Sequence, residues 1–202
     1  MEKEYYDAQV KYINEIRSIR HDMQAHIIVL QYYLESENYE KAREYLRQMK
    51  SHQNIPNLIA KDTGHDLVNA IVSDTLNRSS KAISFEMEGL LPEQLCLGEY
   101  DVCTLFSNVF SNAREACEKL EYTKPVIRME VMERNKEYLI AIQNPIEWKI
   151  EMNGTQFVTS KTDKNAHGFG TKNMIKVIKQ YKGILDFLVT EDSFRVEIVL
   201  PK

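Results

Sequence analysis

The chain has 202 residues, a formal net charge of −4 and an ordinary hydrophobic content of 43%. This length suffices for one good-sized domain, or for a small domain followed by a moderate one. The negative charge argues against nucleic-acid binding through a basic face. No apolar run approaches the ~20 residues of a membrane span, and the charged, polar N-terminus is unlike a signal peptide.

The first two predicted elements form an antiparallel helical hairpin. Residues 2–35 contain no Gly or Pro, residues 36–38 form the predicted turn, and residues 39–54 form a second helix that Pro56 ends or kinks. The first helix carries an apolar stripe with alternating steps of four and three, typical of a helical bundle: Tyr12, Ile16, Ile19, Met23, His26, Leu30 and Tyr33. An isolated hairpin would expose much of this stripe, so we expect a homodimeric four-helix bundle. The alternative is packing of the hairpin on its own C-terminal domain.

A second feature of the first helix is the sequence Arg20-His21-Asp22. His21 lies off the apolar stripe, so its imidazole is predicted to be exposed. Such an imidazole can be a nucleophile, because the neighbouring Asp22 can orient one ring nitrogen and raise the basicity of the other. The alternative is an ordinary solvated histidine. For His26, which lies on the stripe, we favour a packed or interhelical hydrogen-bonding role.

From about residue 60 onward, helices and strands are mixed. The predicted elements are, in chain order, helix 65–81, strand 83–88, helix 98–120, strands 126–133 and 138–143, helix 171–181, and strands 184–189 and 194–200. Residues 147–166 lack a clear period, and so long an irregular stretch suits a mobile functional lid. Helices on one face of a mixed sheet predict an α+β sandwich. The three cysteines, Cys96, Cys103 and Cys117, lack metal-ligand spacing, and we expect them to be reduced core residues.

Two short patterns in this second part suggest phosphate chemistry. Asn108 and Asn112 share one face of the long helix, and a carboxamide oxygen is a neutral, hard ligand suited to Mg²⁺ held by nucleotide phosphates. Gly168 and Gly170 precede the next predicted helix, so the backbone can approach a phosphate at a helix N-terminus. The spacing is neither that of a P-loop nor that of a Rossmann fingerprint. Each pattern alone is also compatible with an ordinary helix face or a glycine turn.

In order, and over nearly the whole chain, these motifs resemble those of the sensor histidine kinases. Residues 20–22 resemble the phosphoacceptor box, and residues 108–116 resemble the N box of the GHKL (Bergerat) ATP-binding fold. Residues 159–161 and 167–170 resemble the ATP lid and the G box, and Asn144 stands where that fold carries the Asp that reads adenine. Among the subgroups, the chain is similar to peptide-pheromone quorum-sensing receptor kinases of the accessory-gene-regulator type.

The resemblance implies a dimerisation and phosphoacceptor hairpin in residues 1–60 and a catalytic ATP-binding domain in residues 61–202. It implies a two-component kinase that transfers a phosphoryl group from ATP to His21, and then to an Asp of a response regulator. ATP and Mg²⁺ would be its cofactors, and a second copy and a cytoplasmic response regulator its partners, with no nucleic acid. Since members of the subgroup are membrane receptors, the chain would be their cytoplasmic portion, attached to the membrane only through an N-terminal sensor region outside this sequence.

The resemblance also assigns roles to individual residues. It makes His21 and Asp22 catalytic, and it assigns the nucleotide and its metal to Asn108, Asn112 (Mg²⁺), Asn144 (adenine), Lys161, Gly168, Gly170 and Thr171. A neutral acceptor at Asn144 is weaker than a carboxylate, so modest nucleotide affinity is expected. ATPases of the same fold place a water-activating Glu where Asn108 stands, and Asn lacks the basicity for that step.

One position departs from the subgroup pattern. Ala25 stands four residues after His21, where the subgroup usually has an Asn that places a water for dephosphorylation of the response regulator. The hypothesis that follows is a competent kinase with weak phosphatase activity. Two other functions remain open: a phosphorelay phosphotransferase with a degenerate domain that binds no ATP, and a dimerisation module whose His21 does not react. The first predicts a broken N box and missing lid glycines, although both are present.

Overall fold

The structure is a computed structural model that describes residues 2–50, 62–121, 124–147, 151–153, 156–158 and 168–202. The chain divides into two compact units, Met1–Ile55 and Pro56–Lys202. The described part of the first unit is helical, whereas the second combines helices with strands. None of the described helices has the length and apolar character needed to cross a membrane.

The first unit contains the predicted helical hairpin. Helix α1 (Glu2–Glu35) and helix α2 (Tyr39–Lys50) are joined by a turn in which Glu37 has a φ of 53°. Between the helices, the Nδ1 atom of His26 lies 2.8 Å from the hydroxyl oxygen of Tyr45, and Tyr33 packs edge-on against the Tyr45 ring. The interhelical role predicted for His26 therefore agrees with the structure. Predicted helix residues 51–54 lie outside the described residues.

Much of the apolar stripe of α1 remains in contact with solvent. Ile16, Ile19 and Met23 are all exposed, although α2 covers part of the same helix further along. Exposed aliphatic side chains in a regular stripe are characteristic of a helix that lacks part of its packing surface. Pairing with a second hairpin remains a prediction, which these exposures favour.

The second unit is built on a mixed sheet. In chain order its elements are α3 (Asp66–Asn77), β1 (Ser84–Glu88), α4 (Glu99–Lys119), β2 (Val126–Glu133), β3 (Glu137–Pro145), β4 (Glu151–Asn153), β5 (Gln156–Val158), α5 (Gly168–Gln180), β6 (Ile184–Val189) and β7 (Ser193–Pro201). Five strands form one sheet in the order β1-β2-β3-β7-β6, with β1 parallel to β2 and the other neighbours antiparallel. This arrangement confirms the predicted α+β class with its mixed sheet.

Helix α4 provides most of the core on the helical side of the sheet. It begins after Gly98 and ends before Leu120, as predicted to within one residue at each end. Acidic side chains in its first turn and Lys119 in its last turn complement the helix dipole. Its apolar face is buried at the three- and four-residue spacing of a helix: Val102, Leu105, Phe106, Val109, Phe110, Ala113 and Cys117. Burial of an aromatic side chain such as Phe106 stabilises the fold by roughly 2–3 kcal/mol.

Three predicted elements have different limits in the structure. Helix α3 ends at Asn77 instead of residue 81, because the chain turns so that the backbone N–H of Ser80 donates to Glu118 on α4. Strand β3 continues through Asn144 to Pro145, where it still pairs with β7. Helix α5 begins at Gly168 instead of residue 171, so the two glycines belong to its first turn and not to a preceding loop.

Part of the segment predicted to be irregular is a short hairpin. Strands β4 and β5 pair antiparallel, with Asn153 opposite Gln156. Only two residues of the sequence, 154 and 155, separate the strands, and a glycine at the first of two such positions is a common hairpin signal. The prediction of an irregular stretch was therefore wrong for these strands, and its other residues from 148 to 166 lie outside the described part of the chain.

The cysteines do not all behave as predicted. Cys117 is buried, and burial raises the pKa of its thiol to about 12, so it remains protonated. Cys96 is half-buried, and burial likewise raises the pKa of its thiol. Cys103 is exposed, so its assignment to the core was wrong. The reason is its position on α4, where it falls between the buried positions 102 and 105 on the solvent side of the helix.

Gly89 offers a test of the backbone geometry beside the sheet. It has a φ of 74°, and a Cβ atom added there would lie 2.1 Å from the carbonyl oxygen of Val131. We expect Gly89→Ala to lower the free energy of unfolding by about 3 kcal/mol, because both the φ and the contact are unfavourable for alanine. Gly98→Ala is the control, since Gly98 has a φ of −66° and its added Cβ would be 3.5 Å from the Tyr181 hydroxyl. Urea denaturation measures both losses, and equal losses would contradict this explanation.

Candidate functional site

The candidate site lies along the contact between helices α4 and α5, which run antiparallel. At one end, the hydroxyl of Tyr181 donates to Asp101 at 2.7 Å and accepts from the backbone N–H of Gly98 at 3.1 Å. At the other end, Gly170 in the first turn of α5 approaches Asn108 in the middle of α4. These two contacts fix where the N-terminus of α5 lies along α4.

The approach of Gly170 to Asn108 is unusually close. The Nδ2 group of Asn108, which is half-buried, donates to the carbonyl oxygen of Thr104 at 2.6 Å. This bond orients the other end of the carboxamide, so that a Cβ atom added at Gly170 would lie 2.7 Å from the Oδ1 atom of Asn108. A Cβ atom at position 170 would therefore require the Asn108 carboxamide to shift from its place beside α5.

The first turn of α5 has the properties of an anion site. The leading N–H groups of an α-helix have no acceptor within the helix, and its dipole is positive at this end. The first turn contains Gly168 and Gly170 and no acidic residue, so backbone N–H groups are neither covered by a Cβ at these positions nor opposed by a local carboxylate. Thr171, which is half-buried, follows directly. The structure thus brings Asn108, both glycines and Thr171 into one region.

Asn112 and Arg114 lie beyond Asn108 on α4. Asn112 is exposed, one turn after Asn108. Arg114 donates to both carboxylate oxygens of Glu118 at 2.9 Å, so this guanidinium already has a carboxylate partner. Burial raises the pKa of Glu118, but the hydrogen bonds from Ser80 and Arg114 outweigh it and lower the pKa overall. The ion pair is therefore maintained at neutral pH, while Asn112 presents a neutral polar group to solvent.

Asn144 is a buried polar residue in an otherwise apolar environment. It has an exposed fraction of 4% and lies on the same sheet face as the buried Ile140 and Ile142. Its Nδ2 group donates to the carbonyl oxygen of Pro145 at 3.1 Å. A carboxamide at a position suited to an aliphatic side chain costs stability unless its polar atoms are hydrogen-bonded. Asn144 has such a bond at Nδ2, and none of its atoms is among the buried polar atoms that lack a partner in the described part of the chain, so its burial alone assigns it no function.

Three predicted site residues belong to the first unit or lie outside the described residues. His21 and Asp22 belong to the first unit, where the His21 side chain is 83% exposed and its Nδ1 atom lies 3.4 Å from the Asp22 carboxylate. The predicted exposure of His21 agrees with this geometry. Lys161 lies outside the described residues, as do residues 159, 160 and 167 of the lid motif.

Sequence reasoning missed a cavity of about 490 Å³ beside the N-terminal ends of α3 and α4. Four carboxylate residues, Asp62, Asp66, Glu93 and Glu99, contribute to its lining, which argues against phosphate binding. His65 also lines this cavity, and its Nδ1 atom is buried without a hydrogen-bond partner among the described residues. None of the nucleotide-site residues predicted within the described ranges lines it.

Comparison with known proteins places this fold in a family. The sequence profile of the GHKL domain matches residues 97–201, which is just over half of the 202-residue chain. The matched segment includes α4, α5 and the four strands β2, β3, β6 and β7. The chain therefore belongs to the GHKL domain family.

Solved structures of histidine kinases have a similar fold. A mycobacterial sensor histidine kinase, MprB, is 15% identical with a TM-score of 0.50, and the match covers 67% of this chain and 93% of that one. The catalytic domain of the histidine kinase ThkA is 16% identical with a TM-score of 0.53, and the match covers 68% of this chain and 91% of that one. At these identities the likeness shows the fold alone. A comparison with curated proteins finds no match.

The Tyr181 bridge can be tested by removing one oxygen atom. We expect Tyr181→Phe to lower the free energy of unfolding by about 1–2 kcal/mol, because Gly98 loses its acceptor and Asp101 its donor. Tyr100→Phe is the control, since the Tyr100 side chain near the start of α4 is exposed and its hydroxyl is accessible to water. Urea denaturation of both variants measures the difference. A loss no larger for Tyr181→Phe than for Tyr100→Phe would show that the bridge does not stabilise the fold.

Proposed function

We propose that the chain is an ATP-dependent protein histidine kinase of a two-component system. Residues 1–60 would be its dimeric phosphoacceptor unit, and residues 61–202 its ATP-binding unit. The single observation that carries the proposal is the approach of Gly170 to the Asn108 carboxamide. It combines a helix N-terminus that attracts phosphate with a neutral polar ligand on the neighbouring helix, in a family fold that the catalytic domains of histidine kinases share.

The residues present fit a magnesium nucleotide. Backbone N–H groups at Gly168 and Gly170 would hold phosphate oxygens, with Thr171 beside them and Lys161 approaching from the lid. The exposed carboxamide oxygen of Asn112 suits Mg²⁺, which retains several waters and needs few protein ligands. Bound Mg²⁺ would neutralise phosphate charge during transfer.

Two further asparagines support transfer of a phosphoryl group to a protein side chain. The carbonyl oxygen of buried Asn144 would accept a hydrogen bond from the adenine amino group, while its Nδ2 donor is bonded to Pro145. Asn108 donates to Thr104 and has no basicity with which to activate a water. Hydrolysis is therefore disfavoured relative to transfer to an imidazole.

His21 would be the acceptor of that phosphoryl group. Its exposed ring is accessible to a second domain, and Asp22 lies close enough to orient the Nδ1 atom. The Nε2 lone pair would then attack the terminal phosphorus atom of ATP, forming a P–N bond as the bond to the ADP oxygen breaks. A response-regulator Asp would subsequently take the phosphoryl group from His21.

Exposed apolar residues on α1 support both proposed protein partners. Ile16, Ile19 and Met23 would be buried by a second hairpin in a four-helix bundle. Ile28 and Tyr32 lie seven and eleven residues after His21, and therefore on the same helix face, where both are exposed. A response regulator that approaches His21 would contact these two side chains.

The subgroup assignment is also a proposal. Arg20-His21-Asp22, together with Asn144 in place of the usual Asp, supports a peptide-pheromone receptor kinase of the accessory-gene-regulator type. In that case this chain would be the cytoplasmic portion of a membrane receptor in quorum sensing.

Autophosphorylation with ATP radiolabelled on the γ-phosphate tests the proposed reaction. We expect acid-labile label on the wild-type chain, none on His21→Ala, and at least ~100-fold less on Asn112→Ala, because loss of a metal ligand impairs charge neutralisation. Gln24→Ala, an exposed position on the same helix as His21, is the control and should be labelled normally.

The other outcomes of this assay would contradict the proposed kinase activity or favour one of the alternative functions. Label on His21→Ala, or none on the wild type, would remove the assignment of a kinase that acts through His21. A parallel titration with Mg²⁺ and ATP distinguishes the phosphorelay alternative, because that protein would bind no nucleotide even with an intact His21.

Ala25 generates a separate prediction about dephosphorylation. It is exposed one helical turn after His21, and a methyl group cannot position a water. We expect Ala25→Asn to accelerate dephosphorylation of the phosphorylated response regulator, with little change in autophosphorylation of His21. Gln24→Asn, which keeps a carboxamide at the neighbouring exposed position and only shortens its side chain by one methylene, should have no effect. A dephosphorylation rate unchanged by Ala25→Asn would show that the alanine does not limit this activity.

A further inference from the structure

The face of the main sheet opposite its helices carries an ordered pattern of side chains. Strand register places Met132, Leu139, Val199 and Ile184 directly beside one another across β2, β3, β7 and β6. We name these four residues the apolar row. Met132 is 49% exposed and Ile184 is 63% exposed, so both ends of the row are open to solvent.

A second row runs parallel to the first, two residues further along each strand. Register aligns Glu88, Glu130, Ala141, Glu197 and Asp186 across all five strands of the sheet. We name these five residues the acidic row, since four of them are carboxylates. Successive positions on one face of a strand are about 7 Å apart, so the two rows lie side by side.

A third row, two residues beyond the acidic row, contains Glu86, Arg128 and Arg195 and neutralises this charge only in part. Arg128 pairs with Glu86 at 2.7 Å, and Arg195 reaches Glu130 and Glu197 at 2.9 Å each. These three rows therefore hold five carboxylates (Glu86 and the four of the acidic row) against two guanidinium groups, which leaves them with a net charge of about three negatives.

We propose that this face binds an amphipathic helix of a partner protein, with apolar side chains on the apolar row and Lys or Arg side chains over the acidic row. Four neighbouring strands at about 4.8 Å spacing give the apolar row a length of about 14 Å. A helix of about ten residues has the same length, and its one-turn repeat of about 5.4 Å is close to the strand spacing. The charge complementarity selects this occupant over a second copy of the same face, which would repel it.

This proposal is independent of the proposed kinase activity. The apolar row, the acidic row and their partners lie on the sheet face away from Asn144, whose side chain shares the face of Ile140 and Ile142. Occupation of the outer face therefore requires none of the residues that would bind a nucleotide.

The experiment measures binding of two labelled helical peptides to the full chain by fluorescence anisotropy. Both peptides have leucines at three- and four-residue spacing along one helix face. On the neighbouring face, one peptide carries lysines and the other carries glutamates. The lysine peptide should bind saturably and more weakly at high salt, while the glutamate peptide should not bind. Ile184→Ser should weaken the binding about tenfold through loss of buried apolar area.

Leu188→Ser is the matched control for Ile184→Ser. Leu188 lies on the same strand and the same face, is 43% exposed, and pairs with Arg195 outside the apolar row. Leu188→Ser should leave binding of the lysine peptide unchanged. The double variant Glu88→Gln and Asp186→Asn should weaken the binding and reduce its dependence on salt. Circular dichroism of each variant verifies that the sheet is intact.

Several outcomes would overturn the proposal. They are absence of saturable binding, equal binding of the two peptides, and equal losses in Ile184→Ser and Leu188→Ser. If Ile184→Ser left binding of the lysine peptide unchanged, the peptide would bind elsewhere, for example on the exposed stripe of α1. Self-association of the chain that is lost in Ile184→Ser would assign the face to a second copy instead.

Discussion

The proposed nucleotide site depends on how closely the first turn of α5 can approach α4. At Gly170 the Asn108 carboxamide occupies the place that a Cβ atom would take. The carboxamide is itself oriented by its bond to the Thr104 carbonyl one turn earlier. The observed approach therefore combines glycine on one helix with an oriented asparagine on the other. It places helix N–H groups beside a polar ligand without a charged side chain between them.

Helix α4 connects the proposed site to the rest of the second unit. Its apolar face is buried against the sheet, so the polar face that carries Asn108 and Asn112 has a fixed direction. Its start is bonded to Tyr181 at the end of α5, while Glu118 near its end is bonded to Ser80 after α3. A rigid core element with fixed ends is what a phosphoryl-transfer site needs, because such catalysis consists mainly of positioning and neutralisation of charge.

The sequence predicted the elements whose periodicity is long and regular. Helix α4 and strand β2 have nearly the predicted limits, since each buries apolar side chains at the period of its own geometry. The start of α5 was missed because glycine has low helix propensity, although the first turn needs no N–H acceptors within the helix. The exposure of Cys103 was missed because composition predicts burial of cysteine, whereas its angular position on the helix decides it. The contact between Asn108 and Gly170 joins distant residues, which no local pattern specifies.

For the sheet, too, the sequence predicts a local property, the face on which each side chain lies, but not the register between strands. Alternation of apolar and polar residues in β2 and β7 predicts which side chains face the helices. It does not say which residue of one strand lies beside which residue of the next, because a shift of two residues preserves every face. Only the observed register aligns Met132 with Leu139, and Val199 with Ile184, and so converts scattered exposed residues into a row. The acidic row arises in the same way, from carboxylates on four strands that are far apart in sequence. The outer face thus acquires a directional pattern from tertiary pairing, just as the proposed nucleotide site on the helical side acquires its geometry from the packing of α4 against α5.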